Sequence, residues 1–319
     1  MRVCIYSIMR DEVSNLDGWL TTTSEADARY VLDTGSTDGT HDFLHLNSVE
    51  HDIATFEPFR FDDARNAALA LAPGADLYMR LDADERLQEG WRESLEAVYL
   101  PEIGRYRVTV VNHGANWDRI SRDDVHVRAG HRWKYPTHEV LVGPGIVRQT
   151  GVVVNHHPPA ERRTHHDTNL DVLRDAVDEY PGDHRMAFYY ARELFYSGDW
   201  ERARVQMSYF LGLPGGWPPE RAEAWRILAA IDYEPERWLW RAIGEAPERR
   251  EPFVDMARYA LNGGQANTAA AFYALAKLRV DRSIYTTEQQ AWDEPFERLG
   301  SEIDHAVMNG YSEALGALR

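Results

Sequence analysis

Through about residue 157 the chain alternates short apolar runs with amphipathic stretches, the pattern of βα units around a largely parallel sheet. The runs Val3 to Ile8, Tyr30 to Leu32 and Leu77 to Leu81 have strand length. Each gives way to polar or acidic residues: Arg10-Asp11-Glu12, Asp33-Thr34-Gly35-Ser36 and Asp82-Ala83-Asp84-Glu85. Open α/β sheets bind ligands beyond the carboxyl ends of their strands, so these three segments mark where a site is expected. Between Arg105 and Asn155, β-branched runs broken by Gly and Pro, as at Gly143-Pro144-Gly145, predict a second, mixed or antiparallel sheet region.

From about Thr164 the strand pattern stops and helical periodicity continues to the C-terminus. The positions Ala191, Leu194, Gly198, Ala203 and Met207 are echoed by Ala257, Ala260, Gly264, Ala269, Tyr273 and Ala276. The two glycines lie about two periods of a 34-residue helix-turn-helix repeat apart. Residues 224–247, between them, are helical but keep the pattern poorly. The expected fold is therefore an α/β domain over 1–160, followed by an all-α, tetratricopeptide-like domain over 161–319.

Composition agrees with a folded protein: 44% hydrophobic, 27% charged and 11% aromatic residues are enough to build two cores in 319 residues. No apolar run reaches the roughly 18 residues of a membrane span, and the N-terminus opens directly into a strand, so a soluble, cytoplasmic protein is expected. The single cysteine, Cys4, sits in that strand as a core residue. A formal net charge of −17 disfavours nucleic acid as a partner without excluding it.

Three constellations carry chemistry. In Asp33-Thr34-Gly35-Ser36-Thr37-Asp38-Gly39-Thr40, a strand end, a tight turn and a helix start share eight residues; Gly35 suits the turn, and Ser36, Thr37 and Asp38 are natural helix caps. An ordinary βα turn would explain those positions, but a carboxylate at Asp33 suits a base or ribose donor. In Leu81-Asp82-Ala83-Asp84-Glu85, two carboxylates one residue apart can share a divalent cation or divide between ribose and metal, although a solvated acidic loop looks the same. Phe59 to Leu69 brings aromatic residues into a capped helix carrying Arg65 and Asn66; Arg65 could meet a phosphate or pair with a nearby carboxylate such as Asp62.

In this order the segments resemble family 2 glycosyltransferases, in particular the branch with C-terminal tetratricopeptide repeats. The opening strand with its acidic pair looks like residues 4–12, the D-T-G-S-T-D-x-T signature matches residues 33–40, F-x-x-A-R-N is similar to residues 61–66, and L-D-A-D-E is found at 81–85. The resemblance implies a GT-A fold, Rossmann-like with a mostly parallel central sheet. It implies a hexosyltransferase using Mn2+ or Mg2+ and a nucleoside diphosphate sugar, of uridine type by family preference. Asp33 and Arg65 would contact the nucleoside, Asp82 the ribose or metal, and Asp84 the metal; Ser7 and Glu12, in the first segment, are grouped with the donor-binding residues. A metal histidine is expected after the mixed sheet, at His156, with His157, His165 and His166 as alternatives. In Tyr135-Pro136-Thr137-His138-Glu139, Glu139 is the candidate base of an inverting transfer and His138 a positioning residue, against the alternative of a surface carboxylate ending a strand. Pro158-Pro159 stands where the family carries aromatic and glycine residues.

A catalytically inactive GT-A and helical-repeat scaffold is the alternative reading, weakened by the presence of both Asp82 and Asp84. A zinc hydrolase lacks H-E-x-x-H spacing or a Cys pair, and a nucleotidyltransferase lacks a Gly-rich phosphate loop after the first strand. A protein or small soluble acceptor is favoured over a lipid-linked glycan or a modified nucleobase in DNA, with the helical domain binding the acceptor or forming a homo-oligomer.

Overall fold

The structure is a computed structural model, and it describes residues 1–113, 119–158, 166–280 and 291–317. The chain divides into two compact units, 1–164 and 165–319. The expected class of an α/β unit with a mostly parallel central sheet, followed by helices, is the observed one.

The first unit is built on an eight-stranded sheet in the order β3-β2-β1-β4-β7-β6-β10-β5. Its strands are β1 (Val3–Met9), β2 (Ala28–Asp33), β3 (Glu50–Ile53), β4 (Leu77–Arg80), β5 (Glu85–Leu87), β6 (Arg105–Asn112), β7 (Arg119–His126) and β10 (Val147–His156). Strands β3, β2, β1 and β4 run parallel, as do β6 and β10, while β7 and β5 are antiparallel to their neighbours. The second sheet region expected between Arg105 and Asn155 is thus mostly part of the first sheet. Only β8 (Arg132–Lys134) and β9 (Val140–Val142) form a separate antiparallel ribbon.

Strand β1 shows why its sequence reads as a continuous apolar run. Val3, Ile5 and Met9 pack into one core with Leu16 and Trp19 of α1 (Leu16–Thr22), Leu44 of α2 (Thr40–Leu46), and Trp91 and Leu95 of α4 (Trp91–Glu96). Cys4 and Tyr6 point to the other face, against Ala68 and Leu69 of α3 (Phe61–Leu71). A strand covered on both faces has no polar side to alternate with. Cys4 is buried as expected, and burial pushes its thiol up to about 12. Strand β3 reads Glu-His-Asp-Ile at the sheet edge, and polar edges of this kind resist pairing with other chains.

In the second unit, α5 (His166–Glu179) precedes three helical hairpins. These are α6 (His184–Tyr196) with α7 (Trp200–Gly212), α8 (Pro218–Ala230) with α9 (Glu236–Glu245), and α10 (Glu251–Asn262) with α11 (Ala266–Lys277); α12 (Asp293–Ala317) is the last helix among the described residues. The hairpins begin at residues 184, 218 and 251, a period close to 34. Asp183 caps α6 through the amides of Arg185 and Met186, at 3.0 and 3.1 Å. The turns at Gly198 and Gly264 have φ of +84° and +73°, where a side chain would be strained. The small positions singled out by the repeat pattern, such as Ala191, Ala203, Ala257 and Ala269, are fully buried. No helix among the described residues is long and apolar enough to cross a membrane.

Candidate active site at the carboxyl ends of the strands

The expected site residues gather at the C-terminal edge of β2, β1 and β4. Asp33 ends β2, opposite Met9 in β1, and is 1% exposed. Its Oδ1 accepts the amides of Gly35 and Ser36 at 2.9 and 2.8 Å, folding the turn, while Oδ2 is buried without a hydrogen-bond partner. Among the described residues this oxygen has no donor, and a buried carboxylate oxygen left unsatisfied costs of order 1–3 kcal/mol or more, so the position suits a donor from a ligand. The cap of α2 is Gly39, at φ +97°, rather than Ser36, Thr37 or Asp38. Asp38 Oδ1 still accepts the Thr40 amide at 2.9 Å, and side chains from both segments brace the turn against the loop after β1: Asp11 amide to Ser36 Oγ, Glu12 amide to Thr40 Oγ1, Val13 amide to Asp38 Oδ2, and Thr37 amide to Asp11 Oδ1.

Beside this turn, Asp84 and His156 meet, with Oδ2 and Nε2 3.0 Å apart. The cause is register: β5 pairs antiparallel with β10 so that His156 faces Glu85, and the His157 amide donates to the Asp84 carbonyl at 2.9 Å. Both side chains remain partly open, 19% for Asp84 and 13% for His156. One carboxylate oxygen and one imidazole nitrogen suit Mn2+ or Mg2+ with the remaining positions left to a ligand. No group of three or more His, Cys, Asp or Glu side chains able to hold a metal is found among the described residues. Glu12 faces the same place: burial raises its carboxyl above the ordinary value and the Asp84 and Asp82 charges raise it further, against a hydrogen bond from Asn15. His157 stacks on His113 at 4.7 Å, His166 opens the helix that follows, and Pro159 and His165 lie outside the described residues.

Asp82 has a different environment from Asp84. Arg65 Nη1 and Nη2 bind it at 2.9 and 3.3 Å, and Arg80 Nη1 binds it too. Burial would raise its carboxyl, but Arg65 and Arg80 outweigh that and hold it well below the ordinary range. Arg65 also donates from Nε to Glu139 Oε1 at 2.6 Å, so one guanidinium ties the candidate base to the first aspartate of the pair. The network continues from Arg80 to Asp124, and from Arg122 to Asp124 and Glu85 at 2.8 and 2.6 Å. Arg65 therefore pairs with Asp82 and Glu139 across the fold; Asp62 is taken by Arg60, which occupies the cap position of α3 without a side-chain cap bond.

Trp133 is the part sequence reasoning missed. The guanidinium carbons of Arg65 and Arg80 both lie over its ring, 5.5 and 5.8 Å from the centroid. Asn66 clamps its backbone with two bonds, 2.9 Å to the carbonyl and 2.8 Å from the amide, and its indole donates to Tyr6 Oη at 2.7 Å. Tyr6 in turn meets His126 Nε2 at 2.9 Å, and burial lowers His126 to about 4. In the segment carrying Glu139, Tyr135 and His138 have φ of 86° and 51°, conformations that cost about 1–3 kcal/mol each in a residue with a Cβ and that collect at functional sites. Ser7 is not brought into the cluster: it is fully buried in β1, its hydroxyl bonded to the Ile8 carbonyl.

No protein-family model and no curated protein sequence matches the chain. Among solved structures it is similar to glucosyl-3-phosphoglycerate synthase from Mycobacterium tuberculosis in complex with phosphoglyceric acid, at 14% identity over 55% of this chain and 77% of that one, with a TM-score of 0.39. The same synthase in complex with Mn2+, uridine diphosphate and phosphoglyceric acid is matched at 17% identity over 35% of this chain, with a TM-score of 0.30; the match spans 44% of the synthase chain, less than half its length. MamA is matched at 16% identity over 47% of this chain and 91% of that one, with a TM-score of 0.33.

Proposed function

We propose that the protein is a metal-dependent glycosyltransferase moving a sugar from a nucleoside diphosphate sugar, of uridine type, to a hydroxyl acceptor with inversion. The observation that carries this reading is the Asp84–His156 pair, an oxygen and a nitrogen donor 3.0 Å apart at strand ends 72 residues apart in the chain. A bound Mn2+ or Mg2+ held by them would neutralise charge on the departing diphosphate. Asp33 Oδ2 would accept from the base, with Glu12 supporting the donor side and Arg65 keeping Asp82 aligned toward the ribose; Ser7, buried inside β1, takes no part. Glu139 takes the acceptor's proton at Oε2, Oε1 being held by Arg65, as the acceptor oxygen bonds to the anomeric carbon and the bond to phosphate breaks. His138 positions that carboxylate.

In this proposal residues 1–160 form the catalytic GT-A domain and 161–319 a tetratricopeptide-like domain that binds a protein or small soluble acceptor or mediates homo-oligomerisation. The family 2 class and the cytoplasmic setting are part of the same reading, supported by the motifs at 33–40, 61–66 and 81–85. The test is release of uridine diphosphate from a panel of its sugars with Mn2+ and pooled candidate acceptors. Release that depends on metal and is lost in Asp84→Ala supports the proposal; release that persists equally in Asp84→Ala overturns the metal assignment.

A further inference from the structure

On the first unit, away from the Asp84–His156 pair in sequence and on a different pair of elements, two more imidazoles meet. His41 sits in the first turn of α2 and His51 in the edge strand β3, and His41 Nδ1 lies 3.1 Å from His51 Nε2 with the ring planes at 72°. Both rings are partly exposed. His51 Nδ1 is 2.7 Å from the Val49 carbonyl, and because a carbonyl only accepts, that nitrogen carries the proton. In the neutral ring Nε2 is then a bare lone pair, aimed at His41 Nδ1. A carbonyl that fixes the tautomer and orientation of an imidazole in this way is the usual support behind a metal-ligating histidine.

We infer that His41 and His51 form a second metal site, for a divalent transition ion with a preference for imidazole, Zn2+, Cu2+ or Ni2+, separate from the candidate Mn2+ or Mg2+ centre. The geometry is suitable. With metal–nitrogen bonds of about 2.0–2.1 Å, two nitrogens 3.1 Å apart subtend about 98° at the metal, between the square-planar and tetrahedral angles. Binding needs the His41 proton to pass from Nδ1 to Nε2 through solvent and the rings to turn by about 40°, so that both lone pairs leave the line between the nitrogens and converge on the ion; the ring remains neutral and no net proton is released. Among the described residues no third His, Cys, Asp or Glu completes a metal-binding group, so the other coordination positions are filled by water or an outside ligand. A metal there would tie α2, which follows the Asp33 turn, to the sheet edge. The inference does not depend on the glycosyltransferase reading.

The experiment is Zn2+ titration by calorimetry, with Cu2+ spin resonance to count nitrogen ligands, on the full chain carrying His156→Ala so that the candidate catalytic centre cannot contribute. The expected result is one bound ion with two imidazole nitrogens, weakened at least about tenfold in His41→Gln and in His51→Gln while circular dichroism and urea midpoint stay unchanged. Donor binding in chains with intact His156 should be the same with or without these substitutions. No binding, binding unchanged in the double variant, or binding lost only on replacing His113 or His157 would overturn the inference.

Discussion

Replacing Arg80 by Met should be among the most damaging single changes in the first unit. Arg80 is 5% exposed and binds Asp82, Asp124 and, at 3.9 Å, Glu85; Asp124 and Glu85 are themselves buried. The network comprises the carboxylates Asp82, Glu85, Asp124 and Glu139 and the guanidiniums Arg65, Arg80 and Arg122, so it holds one excess negative charge as built. Met fills similar space but leaves two excess negative charges, and breaking a buried ion pair by removing one partner costs about 3–5 kcal/mol. For a unit of this size that corresponds to roughly 6–20 °C in Tm. Urea unfolding followed by circular dichroism measures the loss. The double variant Arg80→Met/Asp124→Asn, with one charge fewer, should be less damaged than the sum of the single variants by about 0.5–3 kcal/mol. A loss below about 1 kcal/mol for Arg80→Met, or strict additivity in the double variant, would refute the account of a coupled ion-pair network beneath Asp82.

Asp33→Asn preserves an acceptor for the Gly35 and Ser36 amides but turns the orphaned Oδ2 into a donor; nucleotide affinity should fall by about 10–100-fold, from the about 1.5–3 kcal/mol of a charged hydrogen bond, with the urea midpoint nearly unchanged, and an unaltered Kd would remove Asp33 from the site. His126 is neutral and buried with its pKa lowered to about 4, so the unfolded chain binds its proton first as pH falls from 6.5; its stabilising contribution is complete above 6.5 and is lost progressively toward 4, about 3 kcal/mol in all. Carbon-13 resonances of His126 still titrating near 6.5 in the folded protein would contradict this. Glu139→Gln, which can still accept from Arg65, should lower kcat by about 100-fold or more while donor Kd holds; an unchanged kcat would leave Glu139 as an Arg65 partner only.

How legible the molecule was in its sequence depended on whether the deciding interaction was local. Strands β1, β2 and β4 could be read because burial on both faces leaves uninterrupted apolar runs, whereas the polar edge strand β3 offered no such signal. Residues 105–155 suggested a second sheet because nothing in their spacing shows β7 inserting between β4 and β6. The 34-residue period was visible through glycines at two hairpin turns; the middle hairpin blurred because α8 and α9 turn through residues 231–235 without glycine and pack Trp225 on Trp238. In the site, the motifs placed Asp33, Asp82 and Asp84 at or just beyond strand ends and Arg65 in the early turns of a helix, and the structure brings His156 to Asp84. The Arg65–Glu139 bond and the place of Trp133 were not readable, being contacts 74 and 68 residues apart. Arg80 did leave a signal: a lone arginine inside a run taken as apolar must find buried carboxylates.

The central claim is tested most directly by calorimetric binding of uridine diphosphate and its sugars to the full chain, with and without Mn2+, in the wild type, Asp84→Ala and His156→Ala. The account predicts metal-dependent binding of a uridine nucleotide that is lost in both variants while their far-ultraviolet circular dichroism is unchanged. Binding that ignores Mn2+, or survives both substitutions intact, would contradict it.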